Sequence, residues 1–140
     1  MTKAEFNEDH FLLYEKYIER RHHGGGMEDP DPNSYMDFLT ASWADTSFIE
    51  FRRERNLMGV AVIDHLEDGL SAVYTFFDPD LEDLSPGRYA ILKEIELTAQ
   101  LGLQWLYMGY WIKDCRKMSY KAEYIPHQKF IDGQWQDASD

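Results

Sequence analysis

The chain has 140 residues, 44% of them apolar and 15% aromatic, with a formal net charge of −12. That length predicts one domain with a real core, and the acidic balance excludes broad nonspecific nucleic-acid binding. A single cysteine, Cys115, excludes an intramolecular disulfide and a thiolate zinc site, and no apolar run reads as a signal peptide or membrane span, so a cytoplasmic, membrane-free protein without a metal is expected.

In chain order, residues 10–22 predict an amphipathic helix with Phe11, Tyr14, Ile18 and His22 on one stripe, ended by three glycines at 24–26. After a Pro/Asp/Asn loop, Asn33 or Ser34 starts a second helix with Tyr35, Phe38, Leu39 and Ser42 on one face. Strands are expected at 48–54, 58–66 and 70–77, with a break at Asn56 and a hairpin turn at Glu67, Asp68 and Gly69. Asp78 and Pro79 close this antiparallel meander. A third helix, about 87–102, is expected to bury Leu92, Ile95 and Ala99 and to end at Gly102. Residues 105–112 read as a buried strand, 114–121 as a short helix or turn, 123–126 as an edge strand and 137–140 as a frayed end.

This order predicts an α/β (α+β) fold. Its central sheet is mixed and mostly antiparallel, it is flanked by helices, and one helix crosses from the meander to a later parallel strand. The arrangement resembles the acyltransferase fold of the GNAT type, lacking that fold's usual first strand. Fold alone does not name a reaction.

The segment 109–121 stands apart. Four cations, Lys113, Arg116, Lys117 and Lys121, fall within nine residues of a strongly acidic chain, with Tyr110 and Tyr120 interleaved. Lys113, Lys117 and Lys121 share one face if the segment is helical. Such a patch fits an anion bearing rings or sugars, and it also fits an ordinary solvated face. Asp64 lies inside an apolar strand, where a carboxylate needs a partner or an opening. The alternative is a strand-end aspartate nearing its turn.

Arg21-His22, the Gly-Gly-Gly-Met run at 24–27, and the segments 38–43, 48–52, 60–64, 68–79, 84–92 and 109–121 resemble the C-terminal half of aminoacyl-tRNA–protein transferases. The branch they resemble most is the bacterial aspartate/glutamate leucyltransferases, relatives of arginyl-tRNA–protein transferase, and the likeness runs from about Phe6 to Trp135. It implies transfer of an amino acid, leucine by the bacterial likeness, from its tRNA ester to the α-amine of a protein beginning with Asp or Glu. The product enters an N-degron pathway. Aminoacyl-tRNA is then a co-substrate, and no cofactor is implied. The family's other half carries clustered cysteines and is not in this sequence, so the chain reads as a fragment or a shortened protein. The missing half is a further expected partner.

Within that resemblance, Asp64 and Tyr74 are the candidate catalytic residues: Asp64 to anchor or deprotonate the attacking amine, Tyr74 to meet the aminoacyl ester. Thr75 and Tyr110 would line the same cleft. Arg52 would read the acceptor's carboxylate through two hydrogen bonds, with Arg53 and Arg55 as competitors. Lys113, Arg116, Lys117, Tyr120 and Lys121 would meet the tRNA. Two other readings stand beside this one: an acyl-CoA-dependent GNAT N-acetyltransferase, for which Pro86 and the lone Gly87 make a poor pyrophosphate loop, and a noncatalytic peptide-binding module.

Overall fold

The computed structural model describes residues 1–21, 31–40, 44–109, 120–124 and 126–137. It forms two compact units, Met1–Tyr107 and Met108–Asp140.

The first unit carries a five-stranded sheet in the order β1 (Thr2–Lys3), β2 (Asp45–Arg53), β3 (Asn56–His65), β4 (Gly69–Phe77) and β5 (Trp105–Tyr107). All pairs are antiparallel except β4 with β5. The α+β expectation holds, and the first strand that the sequence reading lacked is present as two residues against Ser47 and Phe48. It escapes sequence patterning because two residues have no period.

Helix α1 (Glu8–Arg21) starts where the Asn7 side chain accepts a hydrogen bond from the His10 amide at 3.2 Å. Glu8 and Asp9 in its first turn oppose the positive end of the helix dipole. Its buried face is wider than expected. His10, Leu13 and Tyr17 join Phe11, Tyr14 and Ile18. Helix α2 (Pro32–Leu39) begins earlier than Asn33, because Asp31 caps it by accepting from the Ser34 amide at 2.9 Å and Pro32 supplies a preset first turn. Tyr35 and Leu39 are buried, whereas Phe38 is exposed. His22 and Ser42 lie outside the described residues.

The two helices cover one face of the sheet. Phe48, Val60, Val62 and Phe76 project into a core with Phe11, Tyr14, Tyr17, Tyr35 and Leu39. Burying one such aromatic or aliphatic side chain contributes about 1.5–3 kcal/mol. The opposite face meets α3 (Pro86–Gln100), as shown by the Phe51–Tyr89 ring pair at 5.6 Å. Asn56 does not break the first hairpin. It pairs with Arg53, and the turn is Glu54 and Arg55, with Glu54 at φ 60°.

The buried stripe of α3 is Ala90, Ile91, Glu94 and Thr98. Leu92, Ile95 and Ala99 face outward. Apolar residues surround this helix, so hydropathy could not select the packed side. Gly102, at φ 72°, ends it as expected, donating to Ala99 while the Leu103 amide donates to Thr98, both at 3.0 Å.

In the second unit, a 3-10 turn at Tyr120–Glu123 begins within the expected short helix or turn and reaches Glu123, where an edge strand was expected to begin. A hairpin of β6 (Gln128–Ile131) and β7 (Gln134–Asp137) follows. Asp132 and Gly133, at φ 53° and 78°, form the two-residue turn that an Asp-Gly pair favours, a signal present in the sequence and overlooked.

Candidate functional site

The parallel strands β4 and β5 pair only from Gly69 to Ser71, opposite Trp105 to Tyr107. A Cβ on Gly69 would lie 2.2 Å from the Trp105 carbonyl oxygen, so only glycine permits this approach. The Asp68 carbonyl accepts from the Gln104 and Trp105 amides at 3.2 Å, and the Tyr107 hydroxyl donates to both Asp68 carboxylate oxygens at 3.0–3.1 Å. Burial, then the Asp68 carboxylate, raises the Tyr107 pKa. Past Tyr107 the pairing ends among the described residues, while β4 continues to Phe77 with an extra residue, Val73, bulged out of register. Bulges of this kind re-aim neighbouring side chains.

Two of the expected residues lie on neighbouring strands, β3 and β4. Tyr74 lies opposite Val62 and Asp64 opposite Ser71. The Tyr74 ring is half-buried at the margin of the aromatic core, with centroids at 5.2 Å to Phe38, 6.2 Å to Tyr17 and 6.3 Å to Tyr14. Asp64 is half-buried and accepts a hydrogen bond from the Thr46 hydroxyl at 2.5 Å. A cross-strand hydroxyl thus offsets part of the penalty of a carboxylate within an apolar strand. Thr75 pairs with Ala61 and alternates to the α3 side, away from Tyr74.

Arg52 lies elsewhere. It pairs with Leu57 on β3, seven residues from Asp64, a distance of about 23 Å at 3.3 Å per residue. An N-terminal residue cannot place its amine on Asp64 and its carboxylate on Arg52, because the two groups of one amino acid are only about 5 Å apart. Arg52 is also engaged already. Its Nε donates to Glu50 at 3.0 Å, and the other Glu50 oxygen meets His10 Nε2 at 2.5 Å. The Arg52 hydrogen bond, then that of His10, lowers the Glu50 pKa to about 2. This network, which runs from buried His10 to exposed Arg52, was not anticipated. The alternation of Glu50 and Arg52 on one strand face, with His10 on the apolar stripe of α1, was its only signal.

Around that network the first unit has an open cleft of about 600 Å³. Lys16, Arg52, Arg53 and Arg55 line it, with Asp9 and Asp78. Lys16 bridges Asp78 at 2.9 Å and Asp80 at 3.0 Å, which raises its pKa and ties α1 to the segment after β4.

In the second unit, the Lys121 ammonium donates to the Met108 carbonyl at 2.8 Å, and burial lowers its pKa. Tyr120 opens the 3-10 turn. Tyr110, Lys113, Arg116 and Lys117 lie outside the described residues. Among the described residues no group of three or more His, Cys, Asp or Glu could hold a metal, and no helix is long and apolar enough to cross a membrane.

Comparison with known proteins places this geometry in a family. Residues 9–131 match the family described as "Arginine-tRNA-protein transferase, C terminus". An aspartate/glutamate leucyltransferase of Teredinibacter turnerae is 52% identical over 130 residues, 92% of this chain and 54% of that protein. The protein of that name from Saccharophagus degradans is 50% identical over 91% of this chain and 55% of its own length. That from Thiobacillus denitrificans is 49% identical over 94% and 55%. The chain spans about half the length of the curated relatives it matches. It belongs to the family of arginine-tRNA-protein transferases, through the region that family shares at its C terminus.

Proposed function

We propose that this chain supplies the acyltransferase half of an enzyme that moves leucine from its tRNA to the α-amine of proteins beginning with Asp or Glu. The observation that carries the reading is the family match over residues 9–131, joined by relatives near 50% identity that are named for that acceptor pair and that amino acid. The setting is cytoplasmic, aminoacyl-tRNA is the co-substrate, and no resident cofactor takes part.

In this reading the ester carbonyl lies beside Tyr74 on β4, and Thr75, on the opposite face, takes no part. The attacking amine approaches Asp64, whose carboxylate takes a proton as the C–N bond forms and returns it to the tRNA ribose oxygen as the C–O bond breaks. Aminolysis of an ester is activated chemistry, so orientation and one proton acceptor supply much of the rate. The basic segment carrying Lys113, Arg116, Lys117, Tyr120 and Lys121 serves the tRNA. Arg52 takes no part in reading the acceptor at Asp64, for the reason of distance given above.

The test uses leucyl-tRNA and peptides beginning with Asp, Glu or Ala, with the chain alone and with the other half of a relative added. Leucine on the acidic peptides only, in either arm, is the expected result. Acetylation from acetyl-CoA, with no leucine transfer in either arm, would overturn it.

A further inference from the structure

We propose that the cleft between α1 and the β2–β3 hairpin binds the sugar–phosphate backbone of a single-stranded RNA segment, with Arg53 and Arg55 contacting its phosphates. The inference takes its choice of RNA from the transferase reading; the site itself stands on geometry.

Four cations against two carboxylates converge here, on a chain whose net charge is −12. They come from different elements, Lys16 from α1 and Arg52, Arg53 and Arg55 from the hairpin. Arg52 is held by Glu50 and Lys16 by Asp78 and Asp80. The guanidinium groups of Arg53 and Arg55 are exposed and have no hydrogen-bond or ion-pair partner among the described residues. The hairpin tip therefore presents two uncompensated forks suited to phosphate oxygens.

Three features favour a nucleotide strand over an acidic peptide. The cleft, at about 600 Å³, is nucleotide-sized and far larger than a carboxylate side chain requires. Leu12, Leu57, Met58 and Leu81 give it an apolar floor for a sugar or base. Asp9 offers an acceptor to ribose hydroxyls and base amino groups, donors that an acidic side chain lacks. Its place also fits. Asn56 is eight residues from Asp64 along β3, about 26 Å, beyond the reach of the reacting residue but within that of an RNA strand leading to it.

The experiment is equilibrium binding of a short single-stranded RNA to the full chain across a salt series, beside an acidic peptide of equal length. Wild type should bind the RNA with affinity that falls as salt rises. Arg53→Ala with Arg55→Ala should weaken binding about tenfold at low salt and flatten the slope of log affinity against log salt by about 1.4, at 0.7 per lost single-strand phosphate contact. Arg53→Lys with Arg55→Lys should restore most of the slope and only part of the affinity, which separates charge from fork geometry and covers the case of a poorly folded alanine variant. No RNA binding by wild type, an unchanged slope in the alanine variant, or a loss confined to the acidic peptide would each overturn the proposal. RNA binding that depends on both arginines, with no leucine transfer by the chain alone or with the other half of a relative added, would overturn the transferase reading and leave this site standing.

Discussion

The two ends of the central sheet are held by different physics. Where β4 meets β5, the junction is a fit of backbones: Gly69 against the Trp105 carbonyl, and amides of the returning chain on Asp68. At the β2–β3 hairpin the structure is held by charge: His10, Glu50 and Arg52 in one network, Lys16 with Asp78 and Asp80 in another. A steric junction responds to volume and hardly to salt or pH. A charged one responds to both. The first end therefore answers to shape, the second to ionic conditions.

The sharpest way to break the steric end is Gly69→Ala. Its Cβ would overlap the Trp105 carbonyl, and overpacking against backbone of this kind costs about 3 kcal/mol. Thermal unfolding should show a loss that is the same in low and high salt. A loss that vanishes in high salt would mean that charge holds this end too.

Glu94 marks a third situation, a buried carboxylate with an unpartnered oxygen on the α3 face. Burial raises its pKa to about 7 from an unfolded value of 4.5. The neutral acid is tolerated, so stability is full below pH 4.5 and is lost as pH rises through 7. The loss is up to about 3 kcal/mol by pH 8. Glu94→Gln should flatten the stability profile between pH 4.5 and 7 and make the protein relatively more stable above it. Chemical denaturation across pH reads this directly, and parallel profiles for the two proteins would refute it.

On β3, Asp64→Asn should lower leucine transfer about a hundredfold, within the usual range for a lost proton acceptor. Affinity for leucyl-tRNA should change far less. Equal losses in rate and affinity would make Asp64 a structural partner of Thr46 only.

The smallest effect belongs to the charged end. With its pKa near 2 in the folded chain, Glu50 adds stability that is present above pH 4.5 and lost as pH falls through 2. Partial solvent contact keeps this to about 1 kcal/mol. Glu50→Gln should remove that component of the acid titration. It should also soften the salt dependence of stability, which Gly69→Ala leaves untouched.

Much of the architecture was legible because local rules agreed with it. The β3 and β4 strands announce themselves through β-branched runs, and the turn at Asp68-Gly69 and the glycine stop at Gly102 have direct stereochemical causes. The candidate site was legible only in part. Asp64 was conspicuous as a charge in an apolar run, and Tyr74 by its place near the end of a strand. Arg52 was misplaced relative to Asp64 because a sequence lists both on neighbouring strands without showing that they face opposite ends of a hairpin. The buried side of α3 was misread because Leu92, Ile95 and Ala99 form as good a stripe as Ala90, Ile91 and Thr98.

The sequence by itself determined the element order from α1 to β5, the acidic charge, and the family, since each of these is carried by residue identity along the chain. Tertiary structure alone decided which groups meet: His10 with Glu50, Thr46 with Asp64, and Gly69 with the Trp105 backbone. Those contacts join residues 18 to 40 positions apart. They depend on strand register, where a shift of one residue turns every side chain to the other face, and no local pattern encodes that choice.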